Sequence, residues 1–242
     1  TTWAWEFLTE ELQIPKDLLY ITVYEDDDEA WDIWVNRRGI DPSHMKRMGK
    51  EDNFWEIGSG PCGPCSELYF DRGEKYGCGS PDCKPGCDCD RYMEIWNNVF
   101  MEFYKDKNGY SKLSQQNVDT GLGLERMAML LQGKETPFEI ELFAPVMDKL
   151  VELQSKDLIQ SRRIVTEHLR SSMMIINDGG RPSNVDRGYI LRRLLRRMTR
   201  HLNKLEINLD ELASELLADE KNHISILEKI GEIKGLLLDI FT

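Results

Sequence analysis

The chain has 242 residues, 40% of them hydrophobic, and a formal net charge of −12, enough length for one large domain or two smaller ones with real cores. The acidic balance excludes a protein that holds nucleic acid by general basicity. No apolar run reaches membrane length and no signal-peptide pattern precedes the first element, so the chain reads as cytoplasmic, without a membrane partner and with reduced thiols.

The first predicted element is a helix over residues 3–12. The chain opens inside it without a Met, which reads as a piece of a longer chain or a shortened paralogue. Tyr20-Ile21-Thr22-Val23-Tyr24 is β-branched and aromatic and predicts a strand. The acids of residues 25–29 lead into a helix over 30–35, where they complement the helix dipole; that explains the run without a metal. Gly39 suits the helix end. A second short helix is expected over residues 42–48. Strands follow at 53–57, 67–71 and 92–103, with a polar turn at 105–109.

Six cysteines lie between residues 62 and 89. Cys78, Cys83, Cys87 and Cys89 occupy a loop of glycines and prolines with almost nothing apolar, so no local core orders it. Four thiolates closing on a structural Zn²⁺ would order it. Disulfides are the alternative, disfavoured by a reducing compartment.

Residues 118–133 then carry Asp119, Gly121, Gly123 and Arg126 at the mouth of an apolar helix that Gly133 can close. Glycines let a ligand approach the backbone. A guanidinium just beyond them can stack on a base and still face phosphate, while Asp119 offers an anion to an ammonium. Taken singly, Gly-x-Gly fits an ordinary turn, Asp119 a cap, and Trp55 and Val99 packed core.

Helices are expected at 139–153, 162–177, 187–204, 210–217 and 224–241, with a break at 178–182. Between Arg187 and Lys204 stand seven Lys or Arg and no acid. Leu191, Leu194, Leu195, Met198, Leu202 and Leu205 form one stripe of this helix, and Arg192, Arg193, Arg196, Arg197, Arg200 and Lys204 the other. A solvated face is one explanation. Unmixed arginines repel one another, however, and RNA phosphate relieves that repulsion. Strands thus precede residue 125 and helices follow it. The expected class is α+β: an antiparallel sheet flanked by helices, then an all-helical region.

Five ordered blocks resemble the alanyl-tRNA synthetase family of class II aminoacyl-tRNA synthetases. They are Asp52-Asn53-Phe54-Trp55; Gly60-Pro61-Cys62-Gly63-Pro64-Cys65-Ser66-Glu67; Glu94-Ile95-Trp96-Asn97-Asn98-Val99-Phe100; residues 118–133, similar to class II motif 3; and Pro182-Ser183-Asn184 with Arg187-Gly188-Tyr189-Ile190-Leu191-Arg192-Arg193. The resemblance implies the class II sheet, with residues 1–157 as catalytic domain and 158–242 as part of a tRNA-recognition region. It implies ATP-dependent activation of L-alanine and transfer to tRNA(Ala). Trp55, Asn97, Val99, Asp119 and Gly121 would surround alanine; Glu94, Gly123 and Arg126 would meet ATP, with Mg²⁺ on Glu94 or Glu67. Asn184 would read the acceptor stem beside Arg192, Arg193, Arg196 and Arg197. It also implies that Gly-Pro-Cys-Gly-Pro-Cys is a tight turn near the active site. Class II motifs 1 and 2 lie before the segment that Trp3 begins in that family, so the resemblance implies that residues 1–242 lack the motif 2 arginine and are inactive unless a missing-segment partner or further sequence supplies it; a homodimer is the other partner it implies. A non-catalytic tRNA-binding paralogue and a ligase for a non-tRNA acceptor are the alternatives. His44, His168, His201 and His223 show no His-x-x-x-His, so no editing of mischarged tRNA is expected.

Overall fold

A computed structural model of the chain describes residues 1–208, 210 and 212. It divides into two compact units, Thr1–Met127 and Ala128–Thr242.

The first unit is a six-stranded sheet with helices against it. Helix α1 (Thr2–Glu6) continues through a wider turn, Phe7–Glu11. Strand β1 (Leu19–Tyr24) leads to α2 (Asp28–Asp32) and its extension Ile33–Arg37. The side chain of Asp27 caps α2 by accepting from the Ala30 N–H at 2.9 Å, the role expected of an acid at a helix start. Strands β2 (Met45–Met48), β3 (Phe54–Trp55), β4 (Gly60–Asp71), β5 (Tyr92–Asp106) and β6 (Gly109–Leu122) complete the sheet, with α3 (Lys50–Asn53) between β2 and β3. The order is β2-β1-β4-β5-β6, with β3 also paired to β4. Every pair is antiparallel except β1–β2, which is parallel because the helical connection between them carries the chain back to the same end. Fully buried Leu8, Trp34, Ile21 and Leu68 belong to this unit's core. Trp34 donates its indole N–H to Ser66 Oγ at 3.0 Å, so its one polar atom is satisfied.

In the second unit, α5 (Ala144–Leu153), α6 (Ile159–Asn177) and α7 (Asp186–Leu205) share a core of Leu150, Val165, Leu169, Leu191, Leu195 and Met198. Helix α4 (Leu124–Leu131) follows β6 and ends at Gly133, whose φ of 62° is the left-handed conformation of a helix stop.

The α+β class is as expected, but three local expectations fail. Residues 42–48 are not one helix: Pro42–His44 make a single turn and Met45–Met48 pair with β1. His44 explains the switch, since its ring bonds the Leu19 carbonyl at 2.9 Å and stacks on Tyr20 at 4.3 Å, holding the segment against β1. The Gly-Pro-Cys-Gly-Pro-Cys block is no tight turn but part of β4, with an irregular register between Cys62 and Cys65. The helix expected over 139–153 begins only at Ala144, because Pro137–Glu139 form a separate turn closed by a capping box between Thr136 and Glu139. Of the two last predicted helices, 210–217 lies outside the described residues except for Asp210 and Leu212, and 224–241 lies wholly outside them.

Candidate active site

Directly paired residues of antiparallel strands project to the same face, with Cβ atoms about 5 Å apart. Two rows result. Glu67 of β4 pairs with Asn97 of β5, and Asn97 with Gly121 of β6. In the neighbouring row Cys65 pairs with Val99, and Val99 with Asp119. The sheet therefore brings Asn97, Val99, Asp119 and Gly121 to one face, although 24 positions of sequence separate the first and last of them. Val99 is buried and packs with Cys65 and Met101. Asp119 is exposed, and its carboxylate has no hydrogen-bond or ion-pair partner among the described residues. A Cβ added at Gly121 would meet nothing within 4 Å, so open space lies over this part of the face.

Arg126 projects from the first turn of α4. Its Nη1 donates to the Glu94 carbonyl at 2.6 Å and lies 3.6 Å from Glu94 Oε2, with half of the side chain exposed. Gly123 makes room for it: a Cβ there would crowd the Arg126 stem at 3.3 Å. Trp55 lies on β3 opposite Gly63 and is 38% exposed. The sheet register places it one pleat along β4 from Cys65.

A buried carboxylate underlies the face. Glu67 accepts from the Tyr69 hydroxyl at 2.6 Å and from Asn97 Nδ2 at 3.0 Å. Burial pushes its carboxyl up to about 7; the Tyr69 hydrogen bond opposes the rise, and the Glu94 and Asp52 carboxylates add to it. Burial also raises the Tyr69 hydroxyl, followed by its bond to Glu67, and pushes the Cys65 thiol up to about 12. Cys65 is thus a protonated, packed thiol, not a nucleophile. The Glu67–Tyr69–Asn97 network was missed as a unit in the sequence. Its only signal was the alternation of residues 65, 67 and 69, legible once β4 is known to be a strand.

The direction of the Glu67 shift predicts a pH effect. A carboxyl raised in the folded state adds stability below its unfolded value, near 4.5, and loses that contribution as pH climbs through about 7. Glu67→Gln should therefore gain stability relative to the parent chain between pH 4.5 and 7.5, read from denaturant midpoints. Parallel pH curves for the two proteins would refute the assignment.

The cysteine loop joins β4 to β5. Sγ atoms of Cys78, Cys83, Cys87 and Cys89 all lie within 4.8 Å of one another, with Cys78–Cys87 at 3.6 Å and Cys83–Cys89 at 3.4 Å. All six cysteines are free thiols. Tetrahedral zinc–thiolate bonds of about 2.3 Å place sulfurs about 3.8 Å apart, so the set fits a zinc ion after small adjustment.

In the second unit, Arg193, Arg196, Arg197 and Arg200 are exposed along α7, and Leu191, Leu195, Met198, Leu202 and Leu205 are buried. None of Arg196, Arg197 and Arg200 forms an ion pair among the described residues. Asn184, also exposed, accepts from Arg192 Nη1. Gly188 holds this loop close, since a Cβ would meet Ser183 Oγ at 2.3 Å and the Arg181 carbonyl at 2.5 Å. No described helix is long and apolar enough to cross a membrane.

Residues 1–230 match the model of the family described as tRNA synthetases class II (A). The chain is 49% identical to an alanine–tRNA ligase of Clostridioides difficile over 96% of its length and 28% of that protein's. It is 48% identical to one from Acetivibrio thermocellus over 97% and 28%, and 54% identical to one from Natranaerobius thermophilus over 82% and 24%. The chain thus spans under a third of the length of these relatives.

Proposed function

We infer, since the chain belongs to the class II tRNA synthetases (A), that it carries the alanine-activating face of an alanine–tRNA ligase. Residues 1–157 serve activation and residues 158–242 serve tRNA recognition, in the cytoplasm. Alanine's ammonium binds Asp119, a charge-assisted bond worth about 1.5–3 kcal/mol. Its methyl group meets Trp55 and Val99, and Asn97 and Gly121 bound the remaining space. Arg126 lies along the adenine and faces the phosphates of ATP, with Gly123 beside it. An alanine carboxylate oxygen then attacks the α-phosphorus and pyrophosphate leaves. The ribose hydroxyl of tRNA next attacks the acyl carbon, releasing AMP. The observation supporting this reading is the pair of rows across β4, β5 and β6, which gathers an open acid, an amide and an apolar wall on one face.

Mg²⁺, arriving with ATP, neutralises phosphate charge. Glu94 suits it better than Glu67, whose carboxyl is buried and pushed up to about 7. The same reading includes a structural Zn²⁺ on Cys78, Cys83, Cys87 and Cys89, supported by their clustering within 4.8 Å.

ATP–pyrophosphate exchange tests the proposal. Alanine-dependent exchange exceeding that with valine is expected; equal rates with both would refute alanine selection at this face, and tRNA binding without any exchange would favour a non-catalytic paralogue. On the RNA side, Asn184, Arg192, Arg193, Arg196 and Arg197 contact the acceptor stem of tRNA(Ala). Replacing Arg196 and Arg197 together by Ala should weaken RNA binding and reduce the slope of log affinity against log salt by about 1–2, the value for two lost phosphate contacts. An unchanged slope in a filter-binding titration would remove α7 from the interface.

A further inference from the structure

Resting on the zinc reading, we propose that the metal-bound loop is a clip that fastens β2, the outermost strand of the sheet. Strand β2 closes the order β2-β1-β4-β5-β6 and pairs with β1 alone. Such an edge strand has one partner and little to hold its free side.

The loop arises two strands away, between β4 and β5, and its neck is closed there. Arg91 donates from Nε and Nη2 to the two Asp71 carboxylate oxygens at 2.9 and 2.8 Å. The Arg72 N–H donates to the Arg91 carbonyl at 2.8 Å. From that neck the loop extends to β2, where Lys46 Nζ donates to the Pro85 carbonyl at 2.7 Å. Gly86 lies against Met48 so closely that an added Cβ would fall 2.3 Å from its Cε. Pro85 is buried although the residues flanking it are exposed.

Both contacts with β2 fall between Cys83 and Cys87. The span from one thiol to the other is therefore the part of the loop that touches the strand. Little besides the thiols shapes it: the backbone contributes single turns, Cys83 N–H to the Ser80 carbonyl at 3.1 Å and Cys87 N–H to the Lys84 carbonyl at 3.0 Å. Cys78, Cys83, Cys87 and Cys89 would hold Zn²⁺ through their four sulfurs, their thiol protons passing to solvent, and the bound ion would close the loop in the shape that reaches Lys46 and Met48. The metal thus acts on the sheet edge, not on the reacting face.

Hydrogen exchange on the chain, with zinc bound and after chelation, tests the clip. One zinc per chain is expected, and cobalt substitution should give thiolate-to-cobalt charge transfer with tetrahedral ligand-field bands. Chelation should accelerate exchange at residues 45–48 at least tenfold and leave residues 109–122 unchanged. Lys46→Met, which keeps the stem and loses the donor, should accelerate exchange at 45–48 with zinc content intact. A metal-free chain whose four thiols are paired in disulfides would overturn both the zinc reading and the clip. A zinc-loaded chain whose residues 45–48 exchange at the same rate after chelation would overturn the clip and leave the zinc site standing.

Discussion

Arg126→Ala is expected to lower alanine-dependent ATP–pyrophosphate exchange by about 10²–10³-fold, the usual cost of removing one preorganised group that stabilises transition-state charge. Arg126 is half exposed and its anchor is the Glu94 carbonyl, not a packed side chain. The buried face of α4 belongs to Met127 and Met129, so the variant should fold as the parent does. Arg126→Lys should recover only part of the loss. An ammonium keeps the charge but has neither the planar surface for adenine nor the fork for phosphate oxygens. Exchange assays with ATP and alanine varied separately will distinguish the roles: the loss should fall on ATP and on turnover. Parent-like exchange in Arg126→Ala would remove this residue from the ATP site.

Gly63→Ala should be the most damaging single methyl in the first unit. The added Cβ would lie 1.9 Å from the Phe100 carbonyl oxygen and 3.1 Å from the Glu102 nitrogen. These are backbone atoms, so no rotamer change relieves the clash. The cost should exceed the usual overpacking penalty of about 1–3 kcal/mol. Because β4 and β5 must separate locally, the effect reaches the register that sets Cys65 beside Val99 and Glu67 beside Asn97. Gly121→Ala is the control: it meets nothing within 4 Å, so it should unfold like the parent while narrowing the space proposed for alanine. Denaturant unfolding of both variants decides this. A Gly63→Ala midpoint equal to that of Gly121→Ala would show that β4 and β5 are not packed as described.

The same glycine shows where the sequence misleads. The family resemblance implied a tight turn at Gly-Pro-Cys-Gly-Pro-Cys, and its glycines and prolines are turn residues. In the fold the segment is extended, and Gly63 serves close packing between strands. Residues 42–48 mislead in the same way. A proline at a helix start is a sound local signal, yet pairing with β1 and the His44–Tyr20 stack prevail. Both errors have one cause: turn and helix signals span a few residues, and a neighbouring strand overrides them with bonds those residues cannot anticipate.

Other features were legible because their signal is local and repeated. The β-branched run at 20–24 is a strand; the stripe of 191–205 is a buried helix face except for half-buried Leu194, and Arg193, Arg196, Arg197 and Arg200 are exposed while Arg192 is half-buried. Segregation of strands from helices revealed the class, and five ordered motif blocks revealed the family. Clustering of four cysteines in a loop without a core pointed to a metal before any sulfur–sulfur distance was known. Tertiary structure alone decided which side chains share a face. Register across β4, β5 and β6 joined Glu67 to Asn97 and Gly121, and Cys65 to Val99 and Asp119. It also buried Glu67 among acids, which pushes its carboxyl up to about 7, and set the cysteine loop on Lys46 and Met48. Periodicity and composition act along the chain, whereas register, burial and charge proximity act between segments far apart in it; only folding brings the second kind into being.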